Sequence, residues 1–164
     1  MMRVSDNHIT YEIHPDVCAG TVGRNASLPC PVLQMNQVHD VQVAVVDRPD
    51  VTPDELDGFD AMVTDLAGLA IGVRTADCVP ILLYDPVRKS AAAVHSGWRG
   101  TVAKILRNVI TKMSNVYGTQ PSDLIAVIGP GICADCFQVG EEVALKLKEA
   151  GFNLDSVWSF RGPK

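Results

Sequence analysis

The sequence is poor in basic charge and lacks long apolar runs, and each of these shortages excludes a class of protein. Lys and Arg total 14 against 19 Asp and Glu, giving a net charge of −5. The sequence has no Lys/Arg cluster that would drive nucleic-acid binding through counterion release. No apolar run approaches the roughly 18 residues that cross a bilayer. We therefore expect neither a nucleic-acid partner nor a membrane partner.

The sequence also lacks the signs of an exported, disulfide-bonded protein. Residues 1–10 are polar and carry no apolar segment of a secretory signal, so we expect a cytoplasmic protein with reduced thiols. The cysteines are odd in number and irregularly spaced, which is a poor disulfide framework. They are Cys18, Cys30, Cys78, Cys133 and Cys136. Each must then be core filler, a metal ligand or a nucleophile.

The pattern of apolar residues predicts one α/β domain over residues 1–164, without internal repeats or low-complexity segments. Predicted strands lie at 8–13, 32–35, 41–46, 61–64, 69–73, 79–84, 90–95, 124–128 and 156–160. Predicted helices lie at 101–117 and 141–150, and a loop at 47–58. Because the strands at 79–84 and 90–95 are almost continuously apolar, both of their faces are covered. The predicted architecture is a layered α/β domain with a mixed, largely buried sheet and helices on its faces.

A predicted β-hairpin brings a cysteine and a histidine together. The strands at 79–84 and 90–95 are joined by five turn-forming residues. If the turn is centred on Val87, Cys78 lies opposite Ser96, one residue from His95. Sheets of this kind carry their chemistry at such strand ends. A Cys–His pair there is either a nucleophile with its base or two ligands of a divalent metal.

Three further features of the sequence have roles that the sequence leaves open. Gly129 and Gly131 flank a proline after a strand, where backbone N–H groups could bind an anion or simply form a turn. Cys133 and Cys136 form a lone CxxC pair, without the second pair of a Cys₄ zinc site or the βαβ pattern of thioredoxins. His39 lies on a polar loop between two predicted strands and is a third candidate for the site.

Five motifs together resemble the YfiH-like family, also described as multicopper polyphenol oxidase or laccase-domain proteins. They are QVH at 37–39, DGFDA at 57–61, TADCVP at 75–80, AVHSGWRG at 93–100 and GPGI at 129–132. The resemblance implies an α/β/α fold and a metal site formed by His39, Cys78 and His95. It implies a zinc-dependent purine nucleoside phosphorylase acting on adenosine, inosine or guanosine with phosphate. Some members of the family also deaminate adenosine or cleave methylthioadenosine. Relative to the family, we expect a chain shortened at both ends.

Within that resemblance, the neighbours of the ligands receive expected roles. Three protein ligands leave a fourth position open, as in catalytic zinc sites. We expect Asp77 to transfer a proton or support a ligand, and Arg99 to bind an anion. Trp98 is expected either to pack in the core or to stack on a purine. Gly129 and Gly131 are expected to contact substrate. We expect a monomer or small homo-oligomer.

Three alternatives remain open on the sequence alone. Copper is the alternative metal, but a copper phenol oxidase needs further copper centres built from many histidines, and this chain has four. A metal-free hydrolase would use Cys78 as nucleophile and His95 as base. A non-catalytic, zinc-stabilised binding module would use the same ligands without turnover.

Overall fold

A computed structural model describes residues 1–5 and 7–155, and the predicted strand at 156–160 lies outside these described residues. The chain divides into two compact units, Met1–Gly131 and Ile132–Lys164. That 1–164 forms one domain stays a prediction. In the part of the chain that the structure describes, no helix is long and apolar enough to cross a membrane.

Within residues 1–5 and 7–131, the first unit contains two sheets, two α-helices and two short 3₁₀ helices. Its strands are β1 Met2–Ser5, β2 His8–Tyr11, β3 Ala19–Val22, β4 Val43–Val45, β5 Ala61–Thr64, β6 Val79–Asp85, β7 Ser90–Ser96 and β8 Ile125–Ile128. Its helices are α1 Trp98–Val102 and α2 Ile105–Tyr117, with 3₁₀ helices at Pro53–Leu56 and Pro121–Asp123. In the second unit, α3 Glu141–Glu149 confirms the predicted helix, and Gly151 follows it with a φ of 83°.

The larger sheet has the strand order β4-β5-β7-β6-β8. Strands β4 and β5 run parallel and the other neighbours run antiparallel, which confirms the predicted mixed sheet. Every residue of β5 is buried, as is most of β6 and β7. The predicted buried character of the sheet is therefore confirmed as well, and β5, β6 and β7 form its interior.

The two faces of this sheet are covered differently. On one face, alternate residues of β5, β6 and β7 pack against Ile105, Val109 and Met113, whose spacing places them on one side of α2. On the opposite face, Met62 and Ala93 pack against side chains from loops and from the 3₁₀ helix at Pro53–Leu56. Helices thus cover one face, and mainly irregular chain covers the other.

The predicted hairpin is present, but its predicted register is wrong by one residue. Val79 pairs with Ser96 and Asp85 with Ser90, so Cys78 faces Gly97 instead of Ser96. The turn between the strands contains four residues, 86–89, and not an odd number centred on Val87. Lys89 closes it in the left-handed region with a φ of 56°. Turn geometry fixes the register of a hairpin, and apolar alternation alone does not reveal it.

The helix predicted at 101–117 is in fact two helices. The helical conformation is interrupted at Lys104, which has a φ of 63° and lies directly before α2 as its N-cap residue. The break allows α1 to start directly after Gly97, earlier than predicted. The predicted end is confirmed, because Gly118 adopts the left-handed conformation and its N–H donates to Ser114.

Other strand predictions fail in opposite ways. The strands predicted at 32–35 and 69–73 reduce to a single parallel bridge between Leu33 and Ile71. Both side chains pack against the second face of the large sheet, so their apolar character is satisfied without a ladder. By contrast, β1 and β3 were not predicted, yet they pair with β2 in a three-stranded antiparallel sheet. Polar and glycine-containing strands carry little apolar alternation to reveal them.

Candidate metal centre

Three separate segments bring His39, Cys78 and His95 together. His39 lies in the loop before β4, Cys78 immediately precedes β6, and His95 is near the end of β7. Their potential ligand atoms all lie within 4.8 Å of one another. His95 is 3% exposed, Cys78 is half-buried and His39 is exposed. The cluster is therefore buried on the His95 side and open to solvent on the His39 side.

A fully buried carboxylate, Asp60, lies behind this cluster. Its Oδ1 accepts hydrogen bonds from His95 Nδ1 at 2.6 Å and from the His39 N–H at 2.9 Å. Its Oδ2 accepts from the N–H groups of Val38 and Asp40, at 3.1 and 2.8 Å. Burial acts to raise the pKa of Asp60, but these hydrogen bonds outweigh it and leave that pKa below its ordinary value. Asp60 is therefore held as a carboxylate.

The two histidine rings lie edge to face. Their centroids are 4.7 Å apart and the rings are inclined at 80°. His39 has a φ of 65°, an uncommon left-handed conformation for a residue with a side chain. Its backbone thus turns sharply at the point where its ring meets His95.

Gly97 leaves space for the side chains of Cys78 and His39. A Cβ at this position would lie 3.0 Å from the Cys78 Sγ and 3.1 Å from the His39 Cδ2. The backbone there, with φ −71° and ψ 170°, is open to any residue, so only space requires glycine. This glycine allows the thiol and the imidazole to approach the start of α1 closely.

Gln37 joins the loops that carry two of the candidate ligands. Its Oε1 accepts from the Arg74 N–H and its Nε2 donates to the Arg74 carbonyl, both at 2.8 Å. A primary amide that pairs with one residue's backbone in both directions fixes the two chains in register. The segment before His39 is thereby tied to the segment before Cys78.

The thiol of Cys78 lies in surroundings that oppose its ionisation. Burial is the main cause that raises the pKa of Cys78, and the negative charges of Asp77 and Asp60 add to it. A thiol rather than a thiolate is a weak nucleophile, which counts against a metal-free Cys–His hydrolase. A divalent cation would supply the positive charge that a thiolate needs here.

The donor set fits a borderline divalent metal. Two imidazole nitrogens and one sulfur suit zinc or copper, whereas magnesium and calcium prefer oxygen ligands. Three protein ligands leave a coordination position for another molecule, as in catalytic sites. The residues His39, Cys78 and His95 could therefore hold such an ion, with the ring orientation of His95 set by Asp60.

The glycine loop after β8 lies beside the Cys78 segment. The Gly129 N–H donates to the Pro80 carbonyl at 2.9 Å. A Cβ on Gly131 would lie 3.3 Å from the Asp77 carbonyl oxygen. The structure thus brings this loop and the exposed Asp77 to the same end of the sheet as Cys78.

Trp98 and Arg99 follow Gly97 on α1. The exposed Arg99 guanidinium lies over the half-buried Trp98 ring, 4.5 Å from its centroid, in a cation–π contact. One face of the indole is therefore already covered by Arg99. In the second unit, Cys133 and Cys136 are both exposed and not joined in a disulfide, and the ligand cluster does not include them.

Two residues of this site, Asp60 and Gln37, received no role from the sequence. Both lie inside motifs that identify the family resemblance, DGFDA and QVH. An acidic residue directly before the buried run of β5 was the available signal for Asp60, because a buried carboxylate needs several donors. For Gln37 no sequence signal distinguishes it from a surface amide.

The chain is similar in sequence to proteins of one known family. The family model described as multi-copper polyphenol oxidoreductase laccase matches residues 19–161. A protein named adenosine deaminase RL5, from an unknown prokaryotic organism, is 45% identical over 127 residues, covering 74% of this chain and 48% of that protein. A purine nucleoside phosphorylase of Bacteroides thetaiotaomicron is 43% identical over 102 residues, covering 62% of this chain and 38% of that protein.

A solved structure has the same fold. The Bacillus licheniformis protein YfiH superposes with a TM-score of 0.69 at 31% identity, over 74% of this chain and 48% of that one. The chain thus spans about half or less of the length of these relatives. Since the family model covers most of the chain, the protein belongs to the multi-copper polyphenol oxidoreductase laccase family.

Proposed function

We propose that the protein is a zinc-dependent purine nucleoside phosphorylase, which converts a purine nucleoside and phosphate into the free base and ribose 1-phosphate. The observation that carries this proposal is the convergence of His39, Cys78 and His95 within 4.8 Å, in a chain whose relatives bear that name. An enzyme of purine metabolism is the broader conclusion that the relatives support. Adenosine, inosine and guanosine are the proposed substrates.

We prefer zinc to copper because of the number of ligands. The family name refers to several copper ions, and each would need its own set of histidines. Among the described residues, one cluster of three potential ligands is present. When bound there, zinc would supply positive charge that stabilises an anionic nucleophile or leaving group.

The surrounding residues take the following proposed roles. The exposed Arg99, which lies over the Trp98 ring, binds the phosphate, and the Trp98 ring stacks on the purine. The loop of Gly129 and Gly131 contacts the substrate at this end of the sheet. Asp77 transfers a proton to the departing base, since its carboxyl group is exposed beside Cys78.

Adenosine deamination is a second candidate for the same site. The name of one relative at 45% identity favours it. The two reactions give different products from adenosine: phosphorolysis gives adenine and ribose 1-phosphate, whereas deamination gives inosine and ammonia. We also propose a cytoplasmic location, which five cysteines without a disulfide bond support.

The test is a chromatographic assay of adenosine with and without phosphate, with zinc and copper measured in the same samples. Wild type is compared with Cys78→Ala and with Cys30→Ala, an exposed free cysteine outside the cluster. We expect phosphate-dependent adenine release in wild type and Cys30→Ala, and loss of both zinc and adenine release in Cys78→Ala. Undiminished turnover in Cys78→Ala would contradict the proposal.

The same samples separate the alternatives. Inosine without phosphate dependence would indicate a deaminase. Activity in a metal-free protein would indicate a Cys–His hydrolase, and one zinc per chain without any turnover of nucleoside would indicate a binding module. Copper in place of zinc would favour an oxidase, which a phenol substrate then tests.

A further inference from the structure

We infer that Asp60 is the positioning residue of the metal site and holds both histidine ligands in their metal-binding arrangement before a metal is present. This inference rests on the proposed metal site but not on the proposed reaction. Asp60 itself is not a ligand, because its two oxygens are already turned towards four N–H donors.

The first contact fixes the tautomer of His95. Three backbone N–H groups already donate to the two oxygens of Asp60, so these oxygens act as acceptors, and the His95 Nδ1 atom, 2.6 Å from Oδ1, is the donor in the neutral ring. The Nε2 lone pair is then free for a metal, as in other sites where a carboxylate supports a ligating histidine. His95 is buried, so solvent offers little competition for this bond.

The remaining contacts fix the loop of His39. Three consecutive backbone N–H groups, those of Val38, His39 and Asp40, donate to the same carboxylate. His39 lies in the middle of this run with its left-handed φ of 65°. A non-glycine residue keeps such a conformation only when its surroundings hold it. One side chain therefore sets the backbone of one ligand and the ring of another.

Asp85 provides a matched control. It is as fully buried as Asp60, and its Oδ1 also accepts two backbone N–H bonds, from Val87 and Arg88. It lies at the last residue of β6, at the turn end of the hairpin, whereas Cys78 and His95 lie at the open end. Asp85→Asn thus makes the same chemical change in the same sheet, away from the ligands.

The first experiment measures zinc affinity by competition with a chromophoric chelator, and stability by urea unfolding of the metal-free proteins. In Asp60→Asn, one oxygen becomes an NH₂ group that faces N–H donors, so at least one ligand loses its support. We expect Asp60→Asn to bind Zn²⁺ about 10- to 100-fold more weakly than wild type. Asp85→Asn should lose stability but keep wild-type zinc affinity. Equal zinc affinity in Asp60→Asn and wild type would overturn the inference.

The second experiment needs no variant that folds poorly. Long-range ¹H–¹⁵N spectra of metal-free wild type report which nitrogen of His95 carries the proton, and we expect Nδ1–H with a bare Nε2. A proton on Nε2 of the neutral ring would overturn the inference. If wild type binds no zinc, the proposed function fails, and the ring tautomer still decides the role of Asp60.

Discussion

Gly97 faces Cys78 across the open end of the hairpin with no room for a side chain between them. A Cβ on Gly97 would lie 3.0 Å from the sulfur and 3.1 Å from a ring carbon of His39. Two of the three candidate ligands thus pack against one glycine. Any group added there must displace them by a few tenths of an ångström.

Gly97→Ala should therefore weaken zinc binding more than it weakens the fold. The backbone at Gly97 tolerates alanine, so the added methyl group acts only by moving Cys78 and His39. Gly100→Ala in the same motif is the control, because its Cβ would meet Ile105 at 3.4 Å and alanine is favoured in a helix by about 1 kcal/mol. Chelator competition on both variants is the measurement. Equal affinities in the two would show that the contact at Gly97 is unimportant.

Removing His39 and removing His95 should have different effects on the free energy of unfolding. His39→Ala and His95→Ala are both expected to abolish stoichiometric zinc binding. Only His95→Ala should also lower the free energy of unfolding, by about 1–3 kcal/mol, because it removes a buried donor from the Asp60 carboxylate. Among the described residues, the exposed ring of His39 makes no comparable buried hydrogen bond. Urea unfolding of the metal-free variants checks this, with His14→Ala as control. Equal losses of stability would argue against this picture of the site.

Substitutions of Gln37 should lower the stability of the protein by graded amounts. Gln37→Ala removes both bonds to Arg74 and should cost about 1–2 kcal/mol, whereas Gln37→Glu keeps the acceptor and should cost less. Gln42→Ala is the control, since Gln42 is exposed in the chain just before β4. Both Gln37 variants should bind zinc more weakly, because the loop before Cys78 loses its tie to the loop of His39. A Gln37→Ala protein as stable as Gln42→Ala would contradict this.

The contribution of Asp85 to the free energy of unfolding should depend on pH. Burial acts to raise the pKa of Asp85, but hydrogen bonds, first among them that from the Arg88 N–H, lower it below the ordinary value. The unfolded chain therefore binds a proton more readily than the folded one, so this stabilisation is fully present above about pH 3.9. It is lost as the pH falls through the lower, folded-state pKa. The difference in unfolding free energy between wild type and Asp85→Asn should shrink over that acidic range. A difference independent of pH would show that the charge of Asp85 is irrelevant.

The sequence by itself determined the hairpin of β6 and β7, the strands β5 and β8, and the helices α2 and α3. Local sequence patterns predict these elements, namely apolar runs, helical spacing and the glycines that follow helices. It also paired Cys78 with His95, because two strands joined by a short turn must lie side by side. His39 entered the site only through the family resemblance.

Tertiary structure alone decided the rest. The four-residue turn set a register that places Cys78 opposite Gly97, and a one-residue change of this kind leaves no mark in apolar spacing. The strands β1 and β3 form because backbone groups find partners in β2, which side-chain types do not encode. Above all, Asp60 meets its donors from residues about 20 and 35 positions away. A buried charge is stable only where the folded chain supplies those donors, and the sequence does not show which residues will surround it.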